Sequence, residues 1–257
     1  MTDRGREREA RARSVSIALD PEAEVEELRE YLGDSYDESS LRRWQELLEE
    51  ELAEVGDEQR LYRTSRAYLY NLTVFAISGT KLPYLEALLY HLPRGASLLD
   101  YGCGIGSVGL MLLEAGYRVS FADFSYPSTA YLRWRLQRRG FGAPVYDLDR
   151  DSVPGDFDAA YAFDVIEHVE DPFELLAAME TRARVVAVNL LEQDPADTSL
   201  HRTLPIAELI AHTARRRLLA YSRHHDRRSH LLIYSPEPAS GLGRLSSRAR
   251  LWRGRIR

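Results

Sequence analysis

The chain has 257 residues, 44% of them hydrophobic, and a net charge of −6. That length allows one large domain with a small appendage, and the acidic balance excludes a whole-surface footprint for nucleic acid. Its lone cysteine, Cys103, excludes an internal disulfide and a cysteine-rich metal site.

Residues 1–20 are charged and aperiodic, which predicts a disordered N-terminus without the apolar segment of a secretory signal. No apolar run approaches the ~20 residues a membrane helix needs, so a cytoplasmic protein without a membrane span is expected. Asp20-Pro21 reads as a helix start, with Val25, Leu28 and Leu32 on one face and Gly33 at the end. A second helix fits Ser39 to Val55, a third spans about 58–77, and a fourth about 83–92 after Pro83. Residues 21–92 are therefore expected to form a helical lid.

From Ala96 the pattern changes. SLLDY predicts a strand and SVGLMLLEAG a helix closed by Gly116; YRVSFAD and STAYLRWRLQRRG repeat the pair. APVYDLD, FDAAYAFDV and ARVVAVNLL predict three more strands, with the helix DPFELLAAME between the last two. PIAELIAHTARR predicts the final helix, and RLLAYSRH with SHLLIYSP a terminal antiparallel hairpin. The expected fold is α/β and Rossmann-like: a mostly parallel seven-stranded sheet over residues 93–236, covered on both faces. The remainder, 237–257, carries six arginines after Ser240 and reads as a basic, disordered tail. In such sheets ligands bind beyond the carboxyl ends of the strands.

The loop LLDYGCGIGSVGL sits at that end of the first strand. Gly104 to Gly109 satisfies GxGxxG, and Asp123 lies 19 residues beyond Gly104, which is the dinucleotide fingerprint and points to a nicotinamide-dependent oxidoreductase. Asp100 at the loop entrance argues against it. Two unit charges about 5 Å apart at an effective dielectric of about 20 interact by roughly 3 kcal/mol, which repels a diphosphate and attracts a cationic ligand.

Four segments in order, LLDYGCGIGS, VSFADFS, YDLDRD and FDAAYAFDVIEHVEDP, resemble the class I S-adenosylmethionine-dependent methyltransferases over about residues 92–190. The EHV form resembles the small-molecule enzymes of the ubiquinone and menaquinone pathways. The resemblance implies S-adenosylmethionine as cofactor, S-adenosylhomocysteine as product, and a small-molecule methyl acceptor. It implies that Asp100 receives the methionine ammonium and that Gly102, Gly104 and Gly106 carry backbone past the cofactor. Cys103 packs in the same loop, with nothing nearby to activate a thiolate. It further implies that Asp123 accepts both ribose hydroxyls, Phe124 lies on the adenine, and Asp147 accepts from the adenine amino group beside the Leu148 N–H, with Asp149 the competing assignment. Phe163 and Asp164 would line the methionine end.

His168, four residues after Asp164, is either a base for a hydroxyl nucleophile or a structural histidine. Tyr70 and Asn71 are the lid candidates for substrate contact, Asn189 ends the fifth strand near the pocket, and His201, in a long loop expected to face substrate, is either a substrate contact or a surface histidine. Arg133, Arg135, Arg138 and Arg139 read as a solvated helix face. His224, His225 and His230 crowd the hairpin, where arginines disfavour a cation, so no metal is expected. The resemblance also narrows the acceptor: the chain lacks Asn-Pro-Pro-Tyr, Pro-Cys and paired Asp-Asp-Asn segments. What remains is metal-independent methylation of a small molecule, at oxygen by preference, with carbon or nitrogen open. A non-catalytic binding module acting through the tail is the other alternative. The sequence leaves the oligomeric state open.

Overall fold

The structure is a computed structural model, and it describes residues 17–124, 126–192, 201–239, 246, 247 and 249–251. The expected disorder of residues 1–20 falls largely outside that range. Its described part, Ile17 and Leu19, packs on the core.

Helix α1 (Pro21–Leu32) begins where Asp20 accepts hydrogen bonds from the backbone of Glu22 and Ala23, each at 3.1 Å. Helix α2 (Ser40–Val55) ends at the left-handed Gly56. The helix expected over 58–77 is two, α3 (Glu58–Thr64) and α4 (Ala67–Ile77). Ser65 is extended between them, and its hydroxyl accepts from Tyr68 N at 3.0 Å, starting a new helix in the manner of a cap. Helix α5 (Leu82–Leu89) leads into the sheet.

The sheet is built from β1 (Ser97–Tyr101), β2 (Arg118–Asp123), β3 (Val145–Asp147), β4 (Phe157–Ala162), β5 (Ala183–Leu191), β6 (Arg216–His224) and β7 (Ser229–Pro238). Their order is β3-β2-β1-β4-β5-β7-β6; the first five are parallel and β7 runs antiparallel to both neighbours. The seven-stranded sheet with a terminal hairpin is therefore as expected. Crossovers are α6 (Ser107–Glu114), α7 (Pro127–Arg138), α8 (Pro172–Glu180) and α9 (Ile206–Ala214). Alternate residues of each strand face opposite cores. Leu99, Ala160, Val186 and Leu232 pack with α8 and α9, while Leu98, Tyr161, Ala187 and Ile233 pack with α5, α6 and α7.

Two expectations are corrected. Arg135 is fully buried, not part of a solvated face. Its guanidinium pairs with Glu24 and, at 2.7 Å, with Glu27, both on α1, and donates to Ser107 Oγ at 2.9 Å. Arg139 reaches Glu27 at 2.7 Å as well. The acids of α1, spaced i, i+3, meet Arg135 of α7 and Arg139 at its C-terminal cap, spaced i, i+4, so two faces that look solvated in sequence neutralise each other. The tail is likewise not free throughout. Ser247 is buried and accepts from Leu218 N at 3.3 Å, Arg250 donates to Leu218 O at 2.9 Å, and Leu251 packs on the core.

Candidate active site

A cavity of about 560 Å³ opens over the carboxyl ends of β1, β2 and β4, roofed by residues of α3, α4 and the turn before α5. Its floor is the loop Gly102–Gly106. Gly102 is left-handed, and a Cβ there would lie 2.6 Å from Val165 Cγ1. Gly106 is also left-handed, and a Cβ there would lie 2.3 Å from Leu132 Cδ1. Any side chain at either position would push the loop off the sheet. Cys103 lines the cavity, and burial pushes its thiol well up, away from a reactive thiolate.

Asp100, next to last in β1, is only 6% exposed. Burial pushes its carboxyl up to about 7, against the Tyr161 hydroxyl and the Lys81 ammonium, which favour the charged form. Asp123 ends β2; its two oxygens accept from Gly104 N at 2.7 Å and Phe124 N at 2.8 Å, yet burial still lifts it to about 6. Two buried carboxylates short of counter-charge fit a ligand with a cationic end and oppose a diphosphate. The ring of Phe124 and the side chain of Leu148 line the same end. The donor set thus suits S-adenosylmethionine: carboxylates for an ammonium and for ribose hydroxyls, apolar surfaces for a base.

Phe163 and Asp164 follow β4 and line the cavity. Asp164 is left-handed at φ 55 and is held by Asn189 at the end of β5. The Asn189 carbonyl accepts from Asp164 N at 2.8 Å, and its amide donates to Asp164 Oδ1 at 2.7 Å. Asn189 is fully buried, so it positions Asp164 and does not itself line the cavity. Lys81, unnoticed in the sequence, donates to Phe163 O at 2.8 Å and lies 3.7 Å from Asp164 Oδ2. It is the only lysine or arginine lining the cavity among the described residues. A lone lysine after Gly79-Thr80 carries no pattern that sequence reasoning could use.

His168, Tyr62, Tyr68 and Glu58 line the same cavity. His168 Nδ1 lies 3.1 Å from the Tyr62 hydroxyl, which donates to Glu58 Oε1 at 3.1 Å. His201 stands beside it, ring centroids 5.0 Å apart. Glu167, 1% exposed, has its carboxyl pushed up by burial and by nearby Asp164, and its Oε2 has no hydrogen-bond partner. Glu167, His168 and His201 present ligand atoms within 4.8 Å of one another, close enough to share one cation. No such grouping was expected from the sequence. The hairpin histidines instead take separate partners: His230 pairs with Glu192 at 2.6 Å and His224 with Ser222 at 2.8 Å.

Other expected contacts fall elsewhere. Asp147 is outside the cavity lining; its Oδ1 accepts from Asp149 N at 3.1 Å, closing the turn after β3. The Leu148 N–H is spent on Asp123 O at 2.9 Å. Asp149 lies 3.6 Å from Arg63, also off the cavity. The Tyr70 hydroxyl accepts from Asp37 N at 2.8 Å, and Tyr70 packs with Leu28 and Tyr131 away from the cavity. Asn71 is buried and does not line this cavity. The lid positions that do face the cavity are Tyr62, Tyr68, Leu72 and Phe75. Most of the loop that contains His201, residues 193–200, lies outside the described residues.

A protein-family model described as a methyltransferase domain matches residues 99–185. The ubiquinone biosynthesis O-methyltransferase of Xanthomonas campestris pv. campestris is 29% identical over 164 residues, 58% of this chain and 62% of that protein. That of Thiobacillus denitrificans is 30% identical over 88 residues, 33% of this chain and 38% of that protein. The chain therefore spans less than two thirds of the length of these relatives. Among solved structures, the 1,6-didemethyltoxoflavin-N1-methyltransferase of Burkholderia thailandensis, with S-adenosylhomocysteine bound, superposes with TM-score 0.51 at 21% identity, over 64% of this chain and 81% of that chain. The mitomycin 7-O-methyltransferase superposes with TM-score 0.53 at 16% identity, over 85% and 74%. Strand order, the glycine loop between two strand-end carboxylates, and these similarities agree: residues 99–185 match a methyltransferase domain, and the fold is that of S-adenosylmethionine-dependent methyltransferases.

Proposed function

We propose that the chain transfers a methyl group from S-adenosylmethionine to a small organic acceptor, at oxygen by preference and without a metal. The observation that carries this reading is that one cavity is lined both by Asp100, Asp123 and Phe124 and by His168 with Tyr62 of α3. When bound, the sulfonium supplies an activated methyl and a neutral leaving group. The protein's part is alignment, exclusion of water and removal of one proton. Asp100 holds the ammonium, Asp123 the ribose hydroxyls and Lys81 the carboxylate. His168 takes the proton of an acceptor hydroxyl. The helical layer acts as the cover that keeps water out. The names of the curated relatives support oxygen as the acceptor atom. No described helix is long and apolar enough to cross a membrane, which suits an acceptor met in solution.

Calorimetric titration with S-adenosylmethionine, S-adenosylhomocysteine and NADH tests the reading. Binding of the first two is expected, and Asp123→Ala should weaken it by ~1–3 kcal/mol through lost charged hydrogen bonds. Tight NADH binding with silence from both sulfur ligands would reverse the assignment to an oxidoreductase. Methyl transfer should survive excess EDTA. Loss of turnover in EDTA, restored by a divalent cation, would move Glu167, His168 and His201 from proton transfer to metal ligation.

A further inference from the structure

Arg135 joins α7 to α1, and the same guanidinium also grips the glycine loop. Its Nη1 donates to the Ile105 carbonyl and to Ser107 Oγ, each at 2.9 Å. Ser107 Oγ donates onward to Glu24 Oε2 at 2.6 Å, and the other oxygen of Glu24 accepts from Arg135 Nη2. A guanidinium only donates, and a carbonyl or an ionised carboxylate only accepts, so the sense of every link is fixed. The links close a ring through α1, α7 and the loop. We infer that Arg135 and Glu24 are positioning residues for the methyl donor: from outside the cavity they fix Ile105 and Ser107, which line it, and they make donor affinity depend on the docking of α1. The identity of the ligand rests on the methyl-transfer reading; the clamp itself does not.

Three features support the clamp. The loop is fastened to the sheet on one side, where Gly102 N donates to Ala122 O at 2.8 Å and Gly104 N to Asp123 Oδ2 at 2.7 Å. Arg135 takes hold on the other side, at Ile105 and Ser107. Helix α7 is shaped for this. Leu132 lies where a Cβ on Gly106 would meet it, and Arg135 follows three residues later on the same face. The charge, finally, is fully buried, as are Glu24 and Glu27. A guanidinium taken out of water costs several kcal/mol unless it is paired, so Arg135 stays under the loop only while α1 supplies its two acids. Ile105 also packs its side chain against Leu28 of α1 in one cluster.

Calorimetric titration with S-adenosylmethionine and amide hydrogen exchange by NMR, the latter on the ligand-free full chain, read affinity and clamp separately. Glu24→Ala leaves Glu27 paired with Arg135 and Arg139, so α1 keeps an anchor. It should weaken donor binding about tenfold, within the range for a residue that acts without touching the ligand. The Gly106 amide, bonded to Cys103 O, should then exchange about tenfold faster, while the Phe121 amide, bonded to Pro144 O in the sheet, keeps its protection. Arg138→Gln is the control at the same helix pair: its partners are Glu27, Glu30 and the Trp134 ring, none of them in the loop, and it should leave donor affinity unchanged. Replacing Glu24, Glu27 and Arg135 together by Gln, Leu and Leu should regain stability over Arg135→Leu without regaining donor affinity. Unchanged donor affinity or an unchanged Gly106 amide in Glu24→Ala overturns the inference. So does a triple variant that regains affinity with its stability, or an Arg138→Gln as weak as Glu24→Ala. A wild type that binds no S-adenosylmethionine refutes the methyl-transfer reading, and the Gly106 amide still decides the clamp.

Discussion

Replacing Asp100 with Asn separates what the carboxylate costs the fold from what it contributes to binding. Asp100 ionises near 3.8 when the chain is unfolded and near 7 when folded, because it is buried. Between those values the folded chain holds the extra proton. Its contribution to stability is therefore fully present below about pH 4 and is lost as pH rises to about 7. At pH 8 the ionised group costs the ligand-free protein about 4 kcal/mol. Asn has the same shape and no charge. An amide meets the nearby Tyr161 hydroxyl and Gly109 N–H less well than a carboxylate does, at a cost of about 1 kcal/mol each. Asp100→Asn should thus be more stable than wild type by about 2 kcal/mol at pH 8, with the gain shrinking toward pH 4. It should also lose at least about a hundredfold in affinity for S-adenosylmethionine, from roughly 3 kcal/mol of lost charge attraction. Urea unfolding at pH 5 and pH 8, with calorimetry at pH 8, reads both. A variant no more stable than wild type at pH 8, or one that keeps donor affinity, would refute the charge argument on which the cofactor assignment stands.

Arg135→Leu should destabilise the fold by about 3 kcal/mol, the lower end for a broken buried pair, because Arg139 still reaches Glu27. Urea unfolding checks this, and replacing Glu24, Glu27 and Arg135 together by Gln, Leu and Leu should recover most of the loss; no recovery would mean that α1 is held to α7 by something other than charge. Asn189→Ala leaves the left-handed Asp164 without both of its side-chain clamps. It should cost about 1–3 kcal/mol of stability and weaken methyl-donor binding, although Asn189 lines no part of the cavity; unchanged calorimetric affinity would show that Asp164 holds its conformation unaided.

The catalytic half of the molecule is written in local rules. A strand that ends in an acid, a glycine at each left-handed position, and a helix that starts directly after can be read from twelve consecutive residues, Leu98 to Gly109. Backbone geometry alone demands glycine at 102 and 106, because a Cβ there meets Val165 or Leu132. Asp147 shows where the local rule stops. A second acid at the end of β3 looks equivalent to Asp123 at the end of β2, and the two residues are register partners. Yet Asp123 is turned by the amides of Gly104 and Phe124 into the cavity, while Asp147 is turned by Asp149 N into its own loop. The difference is which backbone N–H groups lie within reach, and that is fixed by the neighbouring loop.

The helical layer is harder to read for the converse reason. Its residues look alike in sequence, tyrosine after tyrosine on amphipathic helices, and only the break at Ser65 decides which of them face the cavity. With one continuous helix over 58–77, Tyr70 and Asn71 are the natural roof. With α3 and α4 separated, Tyr62 swings to His168, and Tyr70 turns to Asp37. The break itself depends on one hydroxyl accepting from Tyr68 N, a capping interaction that a serine in mid-helix advertises only weakly. Lys81 and Glu58 follow the same logic: each is an ordinary charged residue with a partner at least 80 positions away in the chain, Asp164 for one and Arg202 for the other. Contacts of that range are set by tertiary packing, so the cofactor end of the cavity is legible in one dimension and the acceptor end is legible only in three.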